Sequence, residues 1–154
     1  KKKLYIYDRQ TGKRKKLYRL GTKIDEMPDM TFPLTAWHPT SKLFAWEVEK
    51  KGRRVLYLYN IEDETREQIF IDQFSKITDM AYSPDGLWIL MSAIVNGQSD
   101  IFMYSTGSKS FKRITNDAYD DLNPRFVDDG RMIAFSSNRI SDTLSYDVLP
   151  YRLF

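Results

Sequence analysis

His38 is the only histidine in a chain of 154 residues. A Ser-His-Asp relay would have to run through it, with the serine on a Gly-x-Ser-x-Gly elbow. No such elbow occurs in the chain. His38 instead opens His38-Pro39-Thr40-Ser41, a tetrapeptide of turn-forming residues, and is expected to be a turn residue. A histidine metal site would need other ligands at suitable spacing, and none flanks it. The absence of cysteine removes disulfides, thiolate catalysis and cysteine-based zinc. The densest set of oxygen ligands is Asn116, Asp117, Asp120, Asp121, Asn123, Asp128 and Asp129. Carboxylates at this density suit a hard cation such as calcium, but the alternation of an EF-hand loop is missing. Asp side chains bonding backbone amides in turns account for the cluster without a metal. The sequence therefore assigns no catalytic residue, no metal ligand and no cofactor. Asp85 and Asp100 are expected to be turn residues, with Asp100 bonding the backbone of loop 95–99. Trp37, Trp46 and Trp88 are expected to pack between repeated units.

The units that position these residues are visible as a repeat. Trp37, Tyr82 and Phe126 stand at equivalent places, separated by 45 and 44 positions. Each ends a short segment (34–37, 78–82, 123–126) and is followed by a tight turn. In two copies that turn is Ser83-Pro84-Asp85-Gly86 and Val127-Asp128-Asp129-Gly130; the first copy, His38 to Ser41, lacks the glycine. Apolar strands follow at 43–48, 87–94 and 132–136. After polar loops at 49–53 and 95–99 come runs of strand formers, Val55-Leu56-Tyr57-Leu58-Tyr59 and Ile101-Phe102-Met103-Tyr104, matched by Leu4-Tyr5-Ile6-Tyr7. Near-continuous runs of this kind suit strands covered on both faces. A last strand closes each unit at 16–20, 67–71 and 111–115. Tyr7 to Leu17, Tyr59 to Ile69 and Tyr104 to Ile114 all span ten positions.

Four short strands every 44 or 45 residues is the period of a β-propeller blade. The predicted fold is all-β, a partial β-propeller of about three four-stranded antiparallel blades. The chain is expected to be a single propeller segment with an outer half-blade at 1–20, blades at 33–71 and 78–115, and a partial blade at 121–148. Residues 21–32 are expected to form a loop, and 142–148 a third strand of the last blade. Propellers usually close with four to eight blades. The segment is therefore expected to belong to a larger ring, with further blades or another chain covering its open faces.

The composition is ordinary for a globular protein, 42% hydrophobic and 29% charged, but 14% aromatic, which favours strands. No apolar run reaches the roughly 18 residues of a membrane helix, and no signal peptide is evident. Net charge is +3. Lys1 to Lys3, Lys13 to Lys16, and Lys50, Lys51, Arg53 and Arg54 border predicted turns and are expected to be solvated, with no nucleic-acid module around them.

The pattern Tyr82-Ser83-Pro84-Asp85-Gly86, an apolar strand, Ser99-Asp100-Ile101-Phe102 and then Arg113-Ile114-Thr115 resembles the WD-repeat-like blade of the TolB propeller group. So does Ile114-Thr115-Asn116-Asp117 through Asn123-Pro124-Arg125-Phe126 to Ser136-Ser137-Asn138-Arg139. The likeness covers most of 33–140. It departs at Thr40-Ser41 and after Arg139, where Thr143-Leu144-Ser145-Tyr146 matches the family's third strand poorly. The resemblance implies a bacterial, periplasmic or otherwise extracytoplasmic scaffold that is not an enzyme. It implies protein partners, such as an envelope lipoprotein or a secretion or translocation component. Similar blades form the non-catalytic propeller of prolyl-oligopeptidase-type serine peptidases, a second reading. An envelope carbohydrate-binding module is a third. Loops on a rigid scaffold carry recognition, so Lys50, Arg53, Asn96, Gln98, Asn138 and Arg139 are the expected partner-binding residues. Arg139 is expected to pair with Asp142 or with a neighbouring blade.

Overall fold

A computed structural model describes residues 3–19 and 33–140. The chain divides into two compact units, Lys1–Pro33 and Leu34–Phe154. The first unit is a hairpin of β1 (Lys3–Tyr7) and β2 (Arg14–Arg19). Burial along β1 alternates, with Leu4 and Ile6 half-buried and Tyr5 and Tyr7 exposed, as a period of two requires. The turn is built by Asp8, whose carboxylate accepts hydrogen bonds from the amides of Gln10 (2.8 Å) and Thr11 (3.2 Å) and from the Thr11 hydroxyl (2.6 Å). These three bonds hold the Asp8 carboxyl below its ordinary range.

In the second unit, β3 (Leu34–Trp37), β4 (Leu43–Lys50), β5 (Arg53–Asn60) and β6 (Arg66–Phe70) form one antiparallel sheet in sequence order. The next sheet holds β7 (Lys76–Tyr82), β8 (Trp88–Val95), β9 (Gln98–Ser105) and β10 (Phe111–Arg113). The last described strands, β11 (Asp121–Val127) and β12 (Met132–Ser137), pair with each other. β3 packs on β7, and β11 packs on β7, β8 and β9. The inner strand of one sheet thus meets the inner strand of the next, the side-by-side relation of propeller blades. The described residues of the second unit are an unclosed, partial β-propeller, as the repeat period predicts. Residues 20–32 and 141–154, with the expected loop at 21–32 and strand at 142–148, lie outside the described residues.

The middle strands explain the pattern of burial. Phe44 to Val48 of β4 and Ile89 to Ala93 of β8 are buried without a break, because both faces of these sheets are covered. The apolar cluster runs from Ala45 and Leu56 through Ile77, Met80, Ile89 and Met91 to Phe102 and Tyr104. Ile71 and Phe74, in the link between the two sheets, complete it. The Phe74 ring meets Phe102 at 4.7 Å and Phe111 at 5.3 Å, edge to face. Full burial of a side chain such as Ile89 or Leu90 contributes about 1.5–3 kcal/mol. On the other face of the first sheet Trp46 stacks on its cross-strand partner Tyr57 at 5.0 Å. Trp37 is half exposed and lies on Phe44 at 4.5 Å.

The inner turns show how local chemistry substitutes for a missing glycine. In the second copy Ser83 O accepts the Gly86 amide at 2.9 Å, and Gly86 has φ +75°. Asp85 accepts the Leu87 amide at 3.0 Å and the Ser83 hydroxyl. In the first copy His38 O accepts the Ser41 amide at 2.8 Å, and Ser41 takes the left-handed conformation, φ +58°. There the His38 ring, Nδ1 at 2.8 Å from the Thr40 hydroxyl, does what Ser83 and Asp85 do. The third copy has Asp128 where the others have proline. Without a ring to fix φ near −65°, Asp128 and Asp129 both turn left-handed, and the closing bond moves one residue on, Arg131 N to Asp128 O at 3.0 Å. A left-handed non-glycine residue costs about 1–2 kcal/mol. Ser41→Gly is accordingly expected to stabilise the fold by about 0.5–1 kcal/mol, read from the shift in urea midpoint, after the added flexibility of the unfolded chain is counted.

Tyr82 supplies a test of the core. Its hydroxyl is buried with no hydrogen-bond partner, and burial pushes its pKa from 10.0 up to about 12. A folded pKa above the unfolded one gives stability that is whole below pH 10 and is lost as pH rises towards 12, on the order of 2–3 kcal/mol. Tyr82→Phe should be close to neutral at pH 7, since an unpaired hydroxyl is removed. It should also unfold less readily than the parent when urea midpoints are taken at about pH 11. Equal alkaline losses in the two proteins would contradict the burial of this hydroxyl.

Candidate functional site

The registers fix which loops share an end. Lys50 pairs with Arg53, and Val95 with Gln98, at the closed ends of the β4–β5 and β8–β9 hairpins. Lys76 begins β7 opposite Ile94, so the link 71–75 arrives at that same end. The segment after β12 reaches it too, since Ser137 pairs with Asp121. One end of the sheets therefore gathers loops 51–52 and 96–97, links 71–75 and 114–120, and residues 138–140. The six expected partner-binding residues all fall there.

They do not form one group. Lys50 and Arg53 border the first hairpin. Lys50 Nζ donates to Gln68 Oε1 at 3.2 Å and is 3.4 Å from the Tyr57 hydroxyl. The Arg53 guanidinium lies over the Phe70 ring at 3.8 Å and donates through Nε to Asp72 at 2.8 Å. This pairing holds the Asp72 carboxyl below its ordinary range. Beside it Glu49, Gly52, Arg53, Arg54, Asp72, Phe74 and Ser75 line an open cleft of about 370 Å³. Asn96 is exposed in the next hairpin turn with φ +53°. Loops fixed in this way present their charges in a set geometry, at little entropic cost to a partner.

Gln98, Asn138 and Arg139 belong to a polar seam between the second sheet and β11. Gln98 Nε2 donates to Asp120 Oδ1 at 3.1 Å, and the Ser99 amide donates to the same oxygen at 3.0 Å. The Asp120 amide donates to Asn138 Oδ1 at 2.8 Å. The hydroxyls of Ser92 and Ser99 reach the Asp121 carbonyl at 2.8 and 3.2 Å. Arg139 pairs with Asp117 and, at 3.3 Å, with Asp121. Asp121 is fully buried, as is Asp100. Asp142, the other partner expected for Arg139, lies outside the described residues.

Asp100 departs from the expectation of a turn residue bonding loop 95–99. It sits inside β9, where Arg113 pairs with it at 2.5 Å and the Thr115 hydroxyl donates at 3.4 Å. Burial raises its carboxyl pKa against the opposing pull of Arg113. Of the acidic cluster, Asp117, Asp121 and Asp128 pair with arginines, and Asp120 accepts from the Ser99 amide and the Gln98 side chain. Among the described residues no group of three or more His, Asp and Glu side chains is arranged to hold a metal. His38, beyond its own turn, lies edge-on to Tyr82 at 5.1 Å. The seam was not visible as a unit in the sequence. Its only local signal is the placing of Ser92 inside an apolar strand and of Ser99 and Asp100 at the start of another.

The family model for the TolB beta propeller domain matches residues 25–148. The Tol-Pal system protein TolB of Helicobacter pylori is 36% identical over 81 residues, 53% of this chain and 19% of that protein. The same protein in a second strain of H. pylori gives the same figures. The chain thus spans about a fifth of the length of the curated relatives it matches. Among solved structures, TolB from Acinetobacter baumannii superposes with a TM-score of 0.66 and 27% identity, over 89% of this chain and 32% of that one. The tricorn protease superposes at 0.63 over 88% of this chain and 13% of the other. At 18% identity that likeness is one of fold alone.

Proposed function

The chain belongs to the TolB beta propeller domain family, and on that premise we propose that it is part of a non-enzymatic protein-binding scaffold of the bacterial cell envelope. The 154 residues act as one propeller segment within a larger ring. The curated relatives carry the name Tol-Pal system protein, and the proposed partner is a protein of that system, an envelope lipoprotein, met in the periplasm. No helix among the described residues is long and apolar enough to cross a membrane. The observation that carries this reading is the loop end just described, where the Arg53–Asp72 pair and the seam at Gln98, Asn138 and Arg139 hold recognition loops on a rigid frame. Polar side chains that chemistry would need are engaged in structure there.

In this reading Lys50, Arg53 and Asn96 meet the partner directly, and Gln98, Asn138 and Arg139 hold the surface behind them. Calorimetric titration of the full-length natural protein with the soluble Pal domain of the same organism tests it. The triple variant Lys50→Glu, Arg53→Glu and Asn96→Ala should weaken binding about tenfold or more, roughly 1.4 kcal/mol. Unchanged affinity would remove these loops from the interface. Absence of binding by the parent protein would remove the partner.

A further inference from the structure

The charge of the chain is concentrated in its first unit. Residues 1–19 hold nine of the 24 Lys and Arg and one of the 21 Asp and Glu. The remaining 135 residues carry 15 basic against 20 acidic side chains. A chain whose net charge is +3 therefore joins a strongly cationic hairpin to a net acidic remainder. Such asymmetry points to an anionic partner for the cationic part.

The hairpin shows which kind. Its one carboxylate, Asp8, is taken up by the turn amides and the Thr11 hydroxyl. Arg9 and Lys13 stand exposed at the tip. Arg14 and Lys16 lie opposite Tyr7 and Tyr5 on one face, with the Arg14 guanidinium 5.4 Å from the Tyr5 ring centre. Cations thus occupy the tip and the face that carries Tyr5 and Tyr7. A single peptide strand would meet only one of these at a time. A diffuse layer of anionic headgroups meets all of them. Tyr7, 63% exposed between tip and face, adds the amphipathic ring that settles at headgroup depth.

We propose that the β1–β2 hairpin is a membrane-surface contact, which rests tip-first on an anionic phospholipid layer. Its cations reach lipid phosphates and Tyr7 lies at the interface. Each basic residue near an anionic surface contributes a factor of about five in partitioning, and the attraction falls away within a Debye length, so salt weakens it.

Sedimentation of the chain with vesicles of phosphatidylcholine containing about one-third phosphatidylglycerol tests this. Binding should exceed that to pure phosphatidylcholine and should fall as salt is raised. Arg9→Glu, Lys13→Glu and Lys16→Glu together should reduce partitioning by more than about a hundredfold. Lys42→Glu, Lys51→Glu and Lys112→Glu impose the same charge change on the second unit and should leave most of the binding. Tyr7→Ala should weaken it several-fold at constant charge. Circular dichroism melting curves of all variants check that the sheets remain folded. Equal binding to neutral vesicles, or equal loss in the two triple variants, would overturn the proposal. A duplex DNA that competed fully at equal phosphate and salt, with Tyr7→Ala without effect on vesicle binding, would overturn it too.

Discussion

Gly86→Ala is expected to destabilise the second unit by about 2–5 kcal/mol. Two causes add. Gly86 has φ +75°, where a Cβ costs about 1–2 kcal/mol. A Cβ at this position would also lie 1.9 Å from His38 Nε2, so the imidazole of the preceding sheet's turn must be displaced, at about 1–3 kcal/mol. The two causes separate in a double-mutant cycle. His38→Ala alone removes a ring that packs on Tyr82 at 5.1 Å and bonds Thr40 at 2.8 Å. In its presence Gly86→Ala should cost only the backbone part. A coupling energy of about 1 kcal/mol or more, read from urea midpoints, is the expected result. Additive effects would mean that the two turns do not touch.

Asp121→Ala is expected to cost about 3–5 kcal/mol by the same measurement, because it removes one partner of a buried ion pair. The Asp121 side chain is fully buried, and its partner Arg139 is mostly so. The cost should fall near the lower limit, since Arg139 keeps Asp117. Two further variants identify the mechanism. Arg139→Met alone leaves Asp121 buried and uncompensated and should be as damaging. Asp121→Leu with Arg139→Met and Asp117→Asn should recover much of the loss, since no carboxylate of the triad is then left buried without its arginine. If each single change cost less than about 1 kcal/mol, the seam would be a surface feature with surface energetics.

Much of the architecture is legible in the sequence because the repeat writes the same instruction three times. Trp37 and Tyr82 end inner strands before a tight turn, Phe126 stands one residue from the end of its own, and the buried stretches 44–48 of β4 and 89–93 of β8 are apolar but for Glu47 and Ser92. Such a pattern survives the loss of any single residue, as the first turn shows by using Ser41 in place of glycine. The third turn is less legible. Its Asp-Gly pair matches the second copy in letters, but the missing proline changes the backbone two residues earlier. The seam is less legible still. Its members, Ser92, Ser99, Asp120, Asp121 and Arg139, come from two repeats, and partners stand 18 to 29 positions apart. No spacing rule connects them; only the packing of β11 on β8 and β9 does. Hence Gln98, Asn138 and Arg139 were expected as surface contacts, although their side chains are engaged between the sheets.

Stacked sheets related by rotation require that each inner turn rest on the next. The most direct measurement is a nuclear Overhauser spectrum of the chain in solution, read at two glycines. Gly86 should show cross-peaks from its α protons to the His38 ring, and Gly130 to the δ protons of Pro84, since a Cβ at Gly130 would stand 3.2 Å from Pro84 Cδ. Both sets present would place three successive turns in a row. Neither set present in a folded sample would contradict the propeller arrangement, and with it the rigid loop end on which the proposed function stands.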